Sequence, residues 1–352
     1  MPPLVSLPTL PLHLTDLLTL LTLLTLPLTC HGHSHLSHIT INGLLYHGFD
    51  PRPNQQPNPP DHVGWSSGAT DDGFVAPSKY SDPDIICHVS GTSPAAHAPI
   101  RAGDRVQVHW NGWPIGHVGP VLTYLARCDD SGSGSGKGGG CAGVDKTALR
   151  WTKVDDSAPV MAALTQGEPQ VVGRGKGKLA RERWATDVMI AANNTWLVEV
   201  PRGLRTGAYV LRQEIVALHF AERKGGAQNY PLCVNLWVEG LNGEESDGEF
   251  KMDGFDAREF YKEDDPGVWV NVSAAAMTRY VVPGPTVAVG AAPVPHAEQR
   301  VTAARAVGTP VVVVSGSRTA PFTSSGTATP RAKAGGEGRR YAGDRTSLRP
   351  DP

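Results

Sequence analysis

Histidines crowd the stretch Cys30-His31-Gly32-His33-Ser34-His35-Leu36-Ser37-His38, where an apolar leader gives way to a more mixed sequence. A chain that begins at a histidine carries an amine and an imidazole on one residue, which together form a metal chelate suited to a nitrogen-preferring ion. A cut before His33 puts the small residues Cys30 and Gly32 at the −3 and −1 places, whereas a cut before His31 puts Leu28 at −3. The first residue of the mature chain is therefore expected to be His33. Two more places carry the same kind of chemistry. His117 lies in the Gly/Pro-bounded loop Trp110-Asn111-Gly112-Trp113-Pro114-Ile115-Gly116-His117-Val118-Gly119-Pro120. His219 ends the run Leu211 to Phe220, and Gln228 and Tyr230 follow it, two apart and so on one face of a strand. A turn near Lys224 to Gly226 would bring that pair towards His219. Taken singly, His117 reads as a surface histidine and the others as satisfied polar residues of a sheet.

The elements that must position these residues are short apolar runs broken by Gly, Pro, Asn and Asp, without a sustained 3.6-residue period. Strands are expected over Ile39–Ile41, Arg105–His109, Val121–Ala126, Thr195–Val200, Tyr209–Phe220 and Cys233–Glu239. Many short strands with long punctuated loops predict an all-β chain, an immunoglobulin/fibronectin-like antiparallel β-sandwich. The Pro- and Asn-rich segment Phe49 to Asp84 is too long for an idle connection.

Three parts are expected: a signal peptide over 1–32, the sandwich domain over 33–290, and a disordered tail over 291–352 rich in Ala, Gly, Pro, Ser, Thr and Arg. Leu17 to Leu28 is too short to cross a bilayer and fits the apolar core of a secretory signal, although no Lys or Arg precedes it. With Cys30 lost, Cys87, Cys128, Cys141 and Cys233 form an even set in a secreted, extracellular chain, which favours two disulfides over thiolate metal sites. Asn193 and Asn271 head N-glycosylation sequons. A net charge of −2 gives no basic stripe for nucleic acid. Gly136-Lys137 is not a phosphate loop, because Gly138 stands where Ser or Thr should be. That Gly/Ser stretch and the basic run Arg174 to Lys178 read as solvated loops.

In ordered blocks from His33-Ser34-His35 to about Pro285, the chain resembles the fungal lytic polysaccharide monooxygenases of auxiliary activity family 9, formerly glycoside hydrolase family 61. The matching blocks include Ile41-Asn42-Gly43, Gly64-Trp65-Ser66, Ser81-Asp82-Pro83-Asp84-Ile85-Ile86-Cys87, Trp113-Pro114, His117-Val118-Gly119-Pro120, Gly226-Ala227-Gln228-Asn229-Tyr230-Pro231 and Asp265-Pro266-Gly267. The resemblance implies one copper ion, held by the amine and ring of His33 and the ring of His117, with Tyr230 axial. It places His219 and Gln228 beside the oxygen species, and it pairs Cys87 with Cys233 and Cys128 with Cys141. The implied reaction is oxidative cleavage of cellulose or a related β-1,4-glucan at C1 or C4. It would use O2 or H2O2 and an electron donor such as a small reductant or a cellobiose dehydrogenase, with a monomer and no membrane or nucleic-acid partner.

Departures from that pattern are Gly116 and Val118 flanking His117, Gln213 for a frequent His, and Ser273 where an aromatic is expected after Asp265-Pro266-Gly267. The alternative they leave open is a non-catalytic carbohydrate-binding or copper-handling protein on the same fold. A hydrolase needs a carboxylate pair flanking the bond. Glu214 and Asp265 do not form such a pair by context and read as surface or sheet-edge groups.

Overall fold

The computed structural model describes residues 34–54, 57–128, 140–157, 184–241, 250–252, 254–273, 280–315 and 318–322. His33, the leader, most of the Gly/Ser stretch, the basic run and residues 323–352 therefore lie outside the described residues.

Alternation of apolar and polar residues builds two sheets. In the first, β1 (Leu36–Ile41) pairs antiparallel with β2 (Leu44–His47) and with β4 (Arg105–Trp110), and β4 pairs with β7 (Thr195–Glu199). In the second, the long strands β8 (Gly207–Ala217) and β9 (Gln228–Glu239) pair side by side. They are flanked by β5 (Val121–Arg127) with β6 (Trp151–Ser157) and by β3 (Ala98–Arg101). All six expected strands form. The expected run to Phe220 stops at Ala217: Leu218 N leaves the ladder to bond Val118 O, and the chain then turns into the β8–β9 connection. Ile39, Ile41, Val106, Val108, Trp196, Val234 and Leu236 fill the space between the sheets.

The outer face of the second sheet is covered by the loops. There a second apolar cluster packs Trp65, Val75, Tyr80, Trp151 and Trp184 on strand residues Leu122, Tyr124, Val210 and Val216. Of two short helices, α1 (Asp84–Cys87) and α2 (Ala185–Ala191), the second packs Ala185, Val188 and Met189 into the cluster between the sheets, and only the first belongs to this outer layer. Inside it lies a buried polar network. Arg212 donates to the carbonyls of Ile85 and Ile86 at 2.9 and 2.8 Å, satisfying the carbonyls of α1 that lack helical partners, and to Glu214 at 2.8 Å. Glu214 also accepts from Asn229 Nδ2 at 2.7 Å and from the Tyr261 hydroxyl. The expectation that Glu214 is a surface or sheet-edge group is thus corrected: it is fully buried as the partner of Arg212.

Cys87 bonds to Cys233 and Cys128 to Cys141, the pairing the resemblance implied. The first ties α1 to β9 across 146 residues of sequence.

The expectation of disorder from Ala291 fails over 291–322. The backbone there pairs with the sandwich rather than forming a core of its own, which composition does not register. Arg305 N donates to Gly43 O at 2.7 Å, and β10 (Ala306–Val307) runs parallel to β2. The strands β11 (Val311–Ser315) and β12 (Arg318–Pro321) form a hairpin, and Val311 exchanges backbone hydrogen bonds with His97. Among the described residues, no helix is long and apolar enough to cross a membrane.

Candidate metal centre

The loop after β4 presents His117 through a set of local constraints. Asn194 accepts from the backbone of Trp113 with its side chain and from that of Trp110 with its carbonyl, both at 2.9 Å. Trp113 Nε1 then donates to His117 O at 2.8 Å, and His117 N to Pro114 O at 3.2 Å, which closes the loop into a compact turn. Gly116 has φ +92°, a left-handed backbone that accounts for glycine there. Beyond His117 the chain is pinned by Leu218 N donating to Val118 O at 2.8 Å and Val216 N to Pro120 O at 3.3 Å.

Those two bonds lay His117 beside His219, and their rings stand 3.8 Å apart between centroids. His219 lies just past the end of β8 rather than within the strand Tyr209–Phe220 expected from the sequence. The turn back into β9 runs through Gly225, at φ +78°, and sets Ala217 opposite Gln228 and Ile215 opposite Tyr230.

Gln228 and Tyr230 do share a face. The Tyr230 hydroxyl donates to Gln228 Oε1 at 3.2 Å. Asn229 between them points the other way, into the buried network, where it accepts from Tyr80 at 2.9 Å and donates to Glu214. Trp113 is the common wall, edge-on to Tyr230 at 5.1 Å and to His117 at 6.5 Å, with Phe74 tilted against Tyr230 at 6.1 Å. Sequence reasoning gave Trp113 no role. Its place four residues before His117, closing a Pro-containing turn, was the available signal.

Burial pushes the His117 imidazole below its ordinary range, towards the neutral form that can bind a metal. Among the described residues no group of three or more His, Cys, Asp or Glu is arranged to hold a metal. Among the described residues His117 and Tyr230 therefore offer at most part of a donor set, and His33 lies outside them. An imidazole, a phenol and an amino-terminal histidine suit copper(II), which favours a nitrogen plane with weak axial oxygen.

The chain enters the described structure beside this loop. Antiparallel pairing of Leu36 with Trp110 continues into Asn111 N donating to His35 O at 3.0 Å. Asn111 Oδ1 accepts from Ser34 Oγ at 2.6 Å and from His35 N at 2.9 Å. Asn111 Nδ2 donates to Asp72 Oδ2 at 3.2 Å, and Asp72 Oδ1 takes the Nδ1–H of His35 at 2.7 Å. Burial alone would raise the Asp72 carboxyl, but the His35 and Asn111 hydrogen bonds together with Arg52 bring it below its usual value. His35 precedes β1 and is buried, and His38 lies within β1.

Around the centre the surface is apolar. Ile115, Phe220 and Trp269 are 78%, 49% and 47% exposed. Trp269 Nε1 donates to Glu222 O at 3.3 Å and Val270 N to Ala221 O at 2.9 Å, which ties the segment after Asp265-Pro266-Gly267 to the turn that carries His219. Position 273 is an exposed serine, as the sequence reads, but Trp269 provides an exposed ring four residues earlier that was overlooked. Asn193 and Asn271 are both exposed.

Residues 33–280 match the family model for Auxiliary Activity family 9, formerly GH61. The chain is 40% identical over 282 residues to AA9 family lytic polysaccharide monooxygenase H of Thermothelomyces thermophilus, covering 80% of this chain and 72% of that protein. It is 41% identical over 260 residues to monooxygenase A of the same family from Malbranchea cinnamomea, covering 73% and 68%. Among solved structures it is similar to the extended catalytic domain of H. jecorina LPMO9A, with a TM-score of 0.65 and 37% identity, over 80% of this chain and 100% of that one.

Proposed function

Because the chain belongs to auxiliary activity family 9 and is thus a lytic polysaccharide monooxygenase, we propose that His33 and His117 would hold one copper ion, with Tyr230 as a further oxygen donor, and that the protein cleaves β-1,4-glucans such as cellulose. The observation that supports this most is the convergence of His117, His219, Gln228 and Tyr230 around the Trp113 wall. Ser34, held by Asn111, supports the part assigned to His33, since consecutive Cα atoms are only about 3.8 Å apart.

When bound, copper supplies the electron transfer that activates O2 or H2O2, so that one oxygen atom replaces a C1 or C4 hydrogen as hydroxyl and the glycosidic bond at that carbon then breaks. The residues of this chain prepare the setting. Burial disfavours the charged form of His117 and so favours the neutral imidazole. The Tyr230 hydroxyl occupies Gln228 Oε1, which leaves the Gln228 amide N–H groups to act as donors. The His219 imidazole, tilted against His117 with ring centroids 3.8 Å apart, can hold or deliver a proton there. Buried Trp113 packs edge-on against Tyr230, and the more exposed Phe74 lies tilted against the same ring. Ile115, Phe220 and Trp269 offer an apolar surface to the face of a sugar ring.

In this reading the protein is secreted, begins at His33, acts as a monomer and draws electrons from a small reductant or a cellobiose dehydrogenase. Mass spectrometry of products from cellulose incubated with copper-loaded protein and ascorbate tests it. Oxidised cello-oligosaccharides, abolished by chelation, are expected. Reducing ends formed without metal, or no oxidised sugar from any glucan, would overturn it.

A further inference from the structure

The start of a chain reading His33-Ser34-His35 is a second, competing copper ligand. A free amine, the two following backbone amide nitrogens and the Nδ1 of a histidine at position three together form a square four-nitrogen plane around copper(II), the geometry that ion prefers. Such a chelate needs no fold, and it would take the His33 amine away from His117.

The folded chain engages two of those four donors. His35 Nδ1 is the atom that hydrogen-bonds Asp72, at 2.7 Å, and His35 N donates to Asn111 Oδ1 at 2.9 Å. The two partners are joined by the Asn111 Nδ2 to Asp72 Oδ2 bond, and Asn111 Oδ1 also accepts from Ser34 Oγ. The His35 ring is further enclosed by Asp50, 3.7 Å from its Nε2, and Arg52 fixes Asp50 through two bonds of 2.8 and 2.6 Å. His35 itself is buried.

We propose that Asn111 and Asp72 are positioning residues that block the amino-terminal chelate: they engage its third-residue amide and ring nitrogen, and so keep the His33 amine for the centre at His117. The proposal rests on the copper reading above. Forming the chelate would release two amide protons to solvent with no change of oxidation state, so the competition is one of coordination alone.

Electron paramagnetic resonance and visible absorption of protein processed to His33, with one equivalent of copper(II), provide the test. In Asp72→Ala/Asn111→Ala a second copper species is expected, with amide-nitrogen coupling and absorption at shorter wavelength, while affinity at the original centre falls about 10- to 100-fold. Adding His35→Ala to that variant should remove the second species. A merely structural role would not produce a species that depends on His35. Circular dichroism and cooperative unfolding must stay as in the parent, because an unfolded chain also forms the chelate. Should the Ala variant not fold, Asp72→Asn with Asn111→Ala serves in its place. A single species identical to the parent's would overturn the proposal. Failure of the copper reading itself shows separately, as an unchanged copper spectrum in His117→Ala of the otherwise unaltered chain.

Discussion

His117 and Gln228 illustrate how side chains of ordinary type become a centre through their neighbours. His117 is placed by Trp113 and by backbone bonds to the 216–218 segment, and Gln228 is fixed by the Tyr230 hydroxyl. Gln228→Ala should lower the rate of oxidised product release about 10- to 100-fold, while calorimetric copper affinity changes less than in His117→Ala. Equal losses of affinity in the two variants would mean that Gln228 acts on the metal rather than on the oxygen species. Read singly, His117, His219, Gln228 and Tyr230 were ordinary loop and sheet residues, and only the ordered family-like blocks around them, such as His117-Val118-Gly119-Pro120 and Gly226-Ala227-Gln228, marked them out. Trp113 and Trp269 were assigned no role. Their roles come from a contact across the loop and from an attachment to the His219 turn, and neither leaves a periodic signal.

Strands β8 and β9 carry the centre, and their outer side depends on buried charge. Glu214→Gln keeps the shape but leaves Arg212 without its charged partner, so chemical denaturation should show a loss of about 3–5 kcal/mol. A second feature sets acid tolerance. Across β2, β1 and β4, His47, His38 and His109 are register partners, and the rings of His38 and His109 stack at 4.0 Å. Burial, then the His38 charge, push His109 down to about 3, and burial and His47 lower His38. A folded-state value below the ordinary 6.5 means that the unfolded chain takes up the proton first. Stability is therefore kept above pH 6.5 and lost as pH falls from 6.5 towards 3. In thermal unfolding, His109→Gln should lose less stability than the parent between pH 6.5 and 4; parallel curves would contradict this. The strand pattern was readable at this scale because alternation survives in short runs. Helices α1 and α2, of 4 and 7 residues, are too short to establish a helical period.

Over the whole molecule, distant segments are held by covalent and edge contacts. Cys87–Cys233 closes 146 residues, so Cys87→Ser/Cys233→Ser should cost about 2–5 kcal/mol in denaturant unfolding, more than loss of the 13-residue Cys128–Cys141 loop. Residues 291–322 add β10 to the edge of β2, a role that composition hid because backbone pairing asks little of side-chain type. The proposed copper centre turns on His33, the residue that precedes Ser34. The most direct test is a copper(II) titration by calorimetry of two proteins, one beginning at His33 and one with a single extra residue ahead of it. Tight one-to-one binding by the first, and its loss in the second, is the predicted result; equal affinity in both would contradict the centre.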